Sequence, residues 1–166
     1  MIRTSLPKAV AASMLGLAIP FSSPCGAADL AGVAGTYAII SVTTTPASGE
    51  KVQPFGPAPV GILMLAPNGR YMASLMKPDL PKFAGNNREK GTPEEMRAVV
   101  AGSITHMGTI SVQGDAMLFN IEHSTFPNWN GTTQKREFTV KGDILTVRVP
   151  AASGGGSGEV VWGRLK

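Results

Sequence analysis

Cysteine is almost absent: Cys25 is the one thiol in 166 residues, so no disulfide framework can staple this fold. Histidine is nearly as scarce. His106 and His123 are the only two, and no His-x-His or Cys spacing accompanies them, which argues against a tight zinc site. Charged residues make up 16% of the chain, and the basic ones are spread with acids between them. No concentrated basic face emerges, so nucleic acid is not an expected partner. No serine sits in a Gly-x-Ser-x-Gly elbow, and no Gly-x-Gly-x-x-Gly or phosphate-loop lysine follows a strand. A hydrolase triad lacks support, and no cofactor and no metal is expected.

What is present begins with a leader. Arg3 and Lys8 form a basic start, Ala9 to Phe21 is an apolar stretch, and Cys25-Gly26-Ala27-Ala28 supplies small residues acceptable to a signal peptidase. Residues 1–28 therefore read as a secretory signal peptide cleaved near Ala27 or Ala28, leaving a secreted or periplasmic domain over 29–166. The apolar run is shorter than the roughly 20 residues a bilayer span needs, so the mature chain is not expected to insert stably in a membrane. A lipoprotein signal at Cys25 fits badly, with Pro24 directly before it and no leucine three residues back. Removing Arg3 and Lys8 leaves 13 basic and 11 acidic residues, a net charge of +2 in place of +4.

From Gly35 onward short β-rich runs alternate with turn chemistry. Tyr37 to Val42 is followed by a loop rich in proline and glycine, and Gly61 to Leu65 and Tyr71 to Met76 flank an Asn68-Gly69 hairpin signal. Thr92-Pro93-Glu94-Glu95 is a helix start with a capping box, predicting a short helix over about 93–101 that Gly102 ends. Met96, Val99 and Val100 share one side of it. Strands then resume at Ile104, Met117, Gln134 and Ile144. The low-complexity loop Ala151 to Gly158 precedes a last strand from Glu159 to Leu165. About eight strands joined mostly by hairpins make a meander that must close or be covered.

Gly35-Thr36-Tyr37 and Trp162-Gly163-Arg164 resemble the two ends of a lipocalin-type barrel, with Tyr37 where that superfamily carries tryptophan. The chain more closely resembles the bacterial and fungal lipocalin-like domain family. The shared features are the Gly-Thr-aromatic start, Gly61-Ile62-Leu63, the Asn68-Gly69-Arg70 hairpin, the Glu-bearing helix and the segment from His123 through Pro127 and Trp129 to Gly131. Arg136, Gly142-Asp143, Leu145 and Trp162 with Arg164 complete it. The resemblance implies an all-β fold, an antiparallel up-and-down barrel of eight to ten strands with one short helix, around a small-molecule cavity.

Alternation then assigns inward residues. The even set of the fourth strand places His106 inside with Ile104 and Ile110. The odd set of the fifth places His123 inside with Met117, Phe119 and Ile121. Phe138 and Val140 carry Arg136 inward on the sixth, and Trp129 should fold over the rim. Candidate ligand-binding residues are thus His106, Phe119, His123, Trp129, Arg136 and Phe138. A buried arginine needs a carboxylate, carbonyls, water or an anionic ligand group. Arg164 is expected to stack on Tyr37. Met64, Met72, Met76 and Met107 read as core filling.

Three functions follow. The first is a barrel binding a small, largely apolar or weakly acidic molecule. The second is a cofactor-free isomerase, cyclase or lyase using His123 and Arg136. The third is a ligand-free stability or adhesion domain with a filled core. The polar, broken segment Lys77 to Gly91 reads as a mobile flap over one end, with Phe83 able to dock.

Overall fold

The structure, a computed structural model, describes residues 29–166; the leader read from the sequence lies outside the described residues. Eight strands run in chain order: β1 (Gly35–Thr45), β2 (Val60–Leu65), β3 (Arg70–Met76), β4 (Ser103–Gln113), β5 (Ala116–Ser124), β6 (Thr132–Lys141), β7 (Ile144–Val149) and β8 (Ser157–Arg164). Each pairs antiparallel with the next, and β8 returns to β1 to close a barrel. Closure satisfies the edge groups that a meander of this length would otherwise leave open.

The connections at the two ends differ. At one end β2–β3, β4–β5 and β6–β7 are joined by tight turns at Asn68-Gly69, Gly114-Asp115 and Gly142-Asp143. Asn68 supports the first by accepting from Arg70 N (3.1 Å), and Gly69 adopts φ 81°, a conformation open to glycine at little steric cost. This end is plugged by a one-turn helix, α1 (Leu30–Val33), which the sequence reading did not anticipate. Asp29 caps it by accepting from Gly32 N (2.7 Å), and Val33 is buried. Tyr37 Oη donates to Val33 O (2.6 Å), and the Arg164 guanidinium lies 4.7 Å over the Tyr37 ring while donating to Ala34 O (2.6 Å). The expected stacking is therefore present.

At the other end the connections are long. The helix α2 (Pro93–Gly102) has the capping box read from the sequence: Thr92 Oγ1 accepts from Glu95 N, and Glu95 returns the bond to Thr92 N. Its apolar side is less buried than its pattern suggests, with Val100 75% exposed.

One irregularity matters for the site. Between β4 and β5 the register shifts: Met107 pairs with His123 but Gly108 pairs with Ile121, leaving Glu122 as an extra residue in a β-bulge. Gly108 is what permits it. A Cβ there would collide with the backbone of Asn120 and Glu122.

Candidate functional site

Inward side chains do not fill the barrel completely. Leu65, Met117 and Leu145 pack solidly toward the plugged end. Above them lies a cavity of about 250 Å³, walled by Leu63, Ala73, Ile104, Phe119, Val147 and Trp162 among others. Its mouth is framed by Pro46, Val52, Pro54 and Phe55 of the β1–β2 loop and by Ala152 to Gly155 of the β7–β8 loop. Paired 2.8 Å backbone bonds between Thr44 and Val52 hold the first of these loops to its strand.

A polar group sits in this apolar wall. Arg136, on β6, is buried and lines the cavity. Its Nε and one Nη donate to Gln134 Oε1 (3.2 and 2.7 Å), two residues earlier on the same face. Its guanidinium lies 4.8 Å from the Phe119 ring centre and 5.5 Å from that of Trp129. Ion pairs among the described residues join Arg70 to Glu122, Arg148 to Glu137 and Lys166 to Asp143, all exposed; none involves Arg136. Burial pushes the Arg136 pKa down to about 10, which leaves it charged at neutral pH. The cavity thus holds a cation whose protein partners are an amide oxygen and two aromatic faces.

His106, on β4, stands beside it. Its Nδ1 shares a 3.0 Å hydrogen bond with Tyr71 Oη, and its ring meets Trp129 edge-on at 5.6 Å. Burial, reinforced by the Arg136 charge, pushes the His106 pKa down to about 3, so the imidazole is neutral. Burial likewise keeps the Tyr71 hydroxyl protonated, far above its ordinary range. Where Tyr71 donates to Nδ1, the ring proton resides on Nε2.

Of the candidates read from the sequence, His106, Phe119, Trp129 and Arg136 converge on the cavity. Trp129 reaches it from a 3-10 turn, Pro127–Trp129, in the β5–β6 loop, and it does form the rim. His123 does not. The bulge at Glu122 spends one residue without a partner, so His123 emerges exposed on the outer face opposite Met107, and Ser124 takes the inward place opposite His106. The His123–Arg136 pair of the enzymatic reading lies on opposite faces of the wall. Phe138 points inward, but one inward step further toward the plugged end, where its backbone N–H donates to Asp115 O (2.9 Å); it belongs to the core below the cavity.

Met64, Met72, Met76 and Met107 are likewise not core filling: each alternates with a buried neighbour and faces outward. Nor does Lys77 to Gly91 cover the mouth. Ala84 N donates to Glu95 Oε1 (2.9 Å), Lys77 N to Gly102 O (2.8 Å), and the Phe83 ring packs against Gly91, so the segment is fastened to α2 and itself. The residues that sequence reasoning missed are Tyr71, Gln134, Phe55 and Trp162. The parity of Ala73 and Leu75 could have found Tyr71, and that of Arg136 could have found Gln134. Phe55 lies in a proline-rich loop with no period to read.

Comparison with known proteins places these features in a family setting. Residues 34–165 match the family described as lipocalin-like domain. Over 81 residues the chain is 33% identical to a 4'-hydroxy-3'-methoxypropiophenone carrier protein of Aspergillus oryzae, an alignment covering 44% of this chain and 73% of that protein. No solved structure matches the chain.

Proposed function

The chain belongs to the lipocalin-like domain family, and from that premise we propose that it is a carrier for a small, largely apolar molecule with one acidic or strongly hydrogen-bond-accepting end. The observation that carries this reading is Arg136. A buried guanidinium loses several kcal/mol of hydration, and the amide oxygen of Gln134 and two ring faces offset only part of it. A carboxylate, phenolate or enolate in the cavity completes the compensation. The aromatic rings of Phe119 and Trp129 beside the guanidinium suit a flat ligand body.

Cavity size narrows the choice. About 250 Å³ is at or below the lower end of ordinary ligand pockets, which favours a single-ring or short-chain compound over a fused polycycle. The relative's cargo, a para-hydroxy aryl ketone by its name, is a compound of this type: one ring, a weakly acidic hydroxyl and an acyl group. Binding is favoured over proton-transfer chemistry because the imidazole at the cavity, held near pKa 3, is far from the range of an effective general base at neutral pH. The cavity also argues against the filled barrel expected of a ligand-free domain. With the leader removed near Ala27 or Ala28, the carrier would act in the periplasm or outside the cell.

Trp129 and Trp162 both line the cavity, so their fluorescence reports occupancy. Small para-acyl phenols and short aromatic acids are expected to quench it saturably with one molecule per barrel, confirmed by native mass spectrometry. Absence of saturable quenching by every compound of both classes would overturn the reading.

A further inference from the structure

The outer wall carries a second arrangement, independent of the cavity. Register aligns Met64 of β2 with Met72 of β3, Met72 with Met107 of β4, and Met107 with His123 of β5. Three thioethers and an imidazole therefore form one row across four adjacent strands, all on the outside. Met64 is 46% and Met107 39% exposed, His123 is exposed too, and Met72 between Met64 and Met107 is half-buried. Methionine is ordinarily among the most buried residue types, so three in line on a barrel exterior call for a reason.

We propose that this row is a binding site for a soft monovalent metal ion, Cu(I) by preference, with Met72, Met107 and His123 as its central ligands and Met64 adjacent. Neighbouring strands are about 4.8 Å apart, and directly opposed Cβ atoms about 4.5–5.5 Å. The Met72 thioether and the His123 imidazole, flanking β4 on either side, can therefore close with the Met107 thioether on a single ion above β4, a span that rigid short side chains could not bridge. Donor chemistry selects the metal. Thioether sulfur is a soft ligand that suits Cu(I), while Zn, Mg and Ca prefer thiolate, imidazole or oxygen. Among the described residues no three His, Cys, Asp or Glu side chains gather to offer those harder metals a site.

The β-bulge is the element that builds the row. With regular alternation His123 would point into the barrel, as the sequence pattern suggested. The extra residue Glu122, accommodated by Gly108, turns it outward into line with Met107. The bond between Arg70 and Glu122 (2.6 Å) holds the bulged residue on the outer face and directs its carboxylate to β3. His123 thus leaves one face and completes a donor set on the other.

The test uses the full chain carrying Cys25→Ser, so that no thiolate competes. Under anaerobic, reducing conditions it is titrated into the Cu(I)–bicinchoninate complex, whose absorbance falls as copper is withdrawn. One Cu(I) per barrel is expected, with X-ray absorption showing sulfur neighbours and one nitrogen. M72L/M107L should weaken binding by at least about 100-fold, beyond the 10–100-fold typical of losing an outer-sphere partner. H123A should remove the nitrogen from the absorption spectrum. M96L, which alters an exposed methionine on α2 outside the row, should change nothing. Far-UV circular dichroism verifies folding, and because the replaced side chains face outward the barrel should keep its spectrum. Failure to withdraw copper from the chelator overturns the proposal. So does equal binding by folded M72L/M107L, or by M64L/H123A should the first variant not fold.

Discussion

The two ends of the barrel solve opposite problems with the same eight strands. The plugged end has tight turns, a helix plug, and polar groups matched within the fold: buried Tyr37 gives its proton to Val33 O, and the half-buried Arg164 meets Ala34 O and the Tyr37 ring. The open end has long loops, an unfilled volume, and a buried arginine whose protein partners are neutral. Two inward arginines thus stand in contrasting surroundings. Arg164 is satisfied by the fold, while Arg136 is left to be completed by something that enters. Stability is concentrated at one end, and the capacity to bind at the other.

The sharpest way to break this contrast is at the plug. Tyr37→Ala should destabilise the barrel by about 3–5 kcal/mol, in the range for deleting a large buried aromatic. The ligand affinity of the folded fraction should remain close to wild type. Urea unfolding paired with fluorescence quenching measures both. At the open end Arg136→Met should act in the reverse sense: affinity for an acid-ended ligand falls by about 1.5–3 kcal/mol, the worth of a charged hydrogen bond. Stability should hold or rise, because an incompletely compensated buried charge has gone. A large loss of stability in this variant would show that Arg136 is structural after all.

A third test uses pH. The folded pKa of His106, pushed down to about 3, lies below its unfolded value near 6.5. Between these values the unfolded chain binds the proton and the folded one does not, so protonation favours unfolding. Stability contributed by the neutral imidazole is complete above about pH 6.5 and is lost as pH falls toward 3, at up to about 1.4 kcal/mol per unit. His106→Gln should flatten that slope, seen in urea midpoints between pH 4 and 7. The smallest effect distinguishes the loops. Shortening Ala152 to Gly155 should change stability by no more than about 0.6 kcal/mol, as expected for a modest change in loop length. It should nevertheless speed ligand release in stopped-flow measurements, because these residues frame the mouth. Shortening Gly85 to Lys90, fastened beside α2, should leave the release rate unaltered.

A different division governs what could be read from the sequence. The strand order was legible because hairpin turns, period-two alternation and the Thr92–Glu95 capping box are local signals, whereas the four-residue plug Leu30–Val33 is too short to show a helical period and was missed. His106, Phe119 and Arg136 were legible for the same reason: their strands alternate without interruption up to the cavity. His123 was not. The residue that displaces it, Glu122, is made tolerable by Gly108 on the neighbouring strand, 14 positions earlier in the chain, and alternation within β5 carries no trace of that. The methionines misled for a related reason. Each looks like core material taken singly, and only strand register shows that three of them share an outer row. Phe55 was hidden because loops without a repeat are placed by tertiary contacts.

Topology also sets the order in which this molecule can be completed. Seven of the eight strand pairings join neighbours in the chain and can form as hairpins soon after both strands exist. The eighth joins the first strand to the last, and the Arg164–Ala34 bond that locks it spans 130 residues. Because the chain emerges N-terminus first, whether from the ribosome or across a membrane, β1 waits longest for its second neighbour. During that interval the growing sheet presents a bare hydrogen-bonding edge and an apolar inner face, the two features most prone to pairing with another chain. The last strand therefore has a protective role as well as an architectural one. A protein truncated before Ser157 would remain in its most vulnerable state.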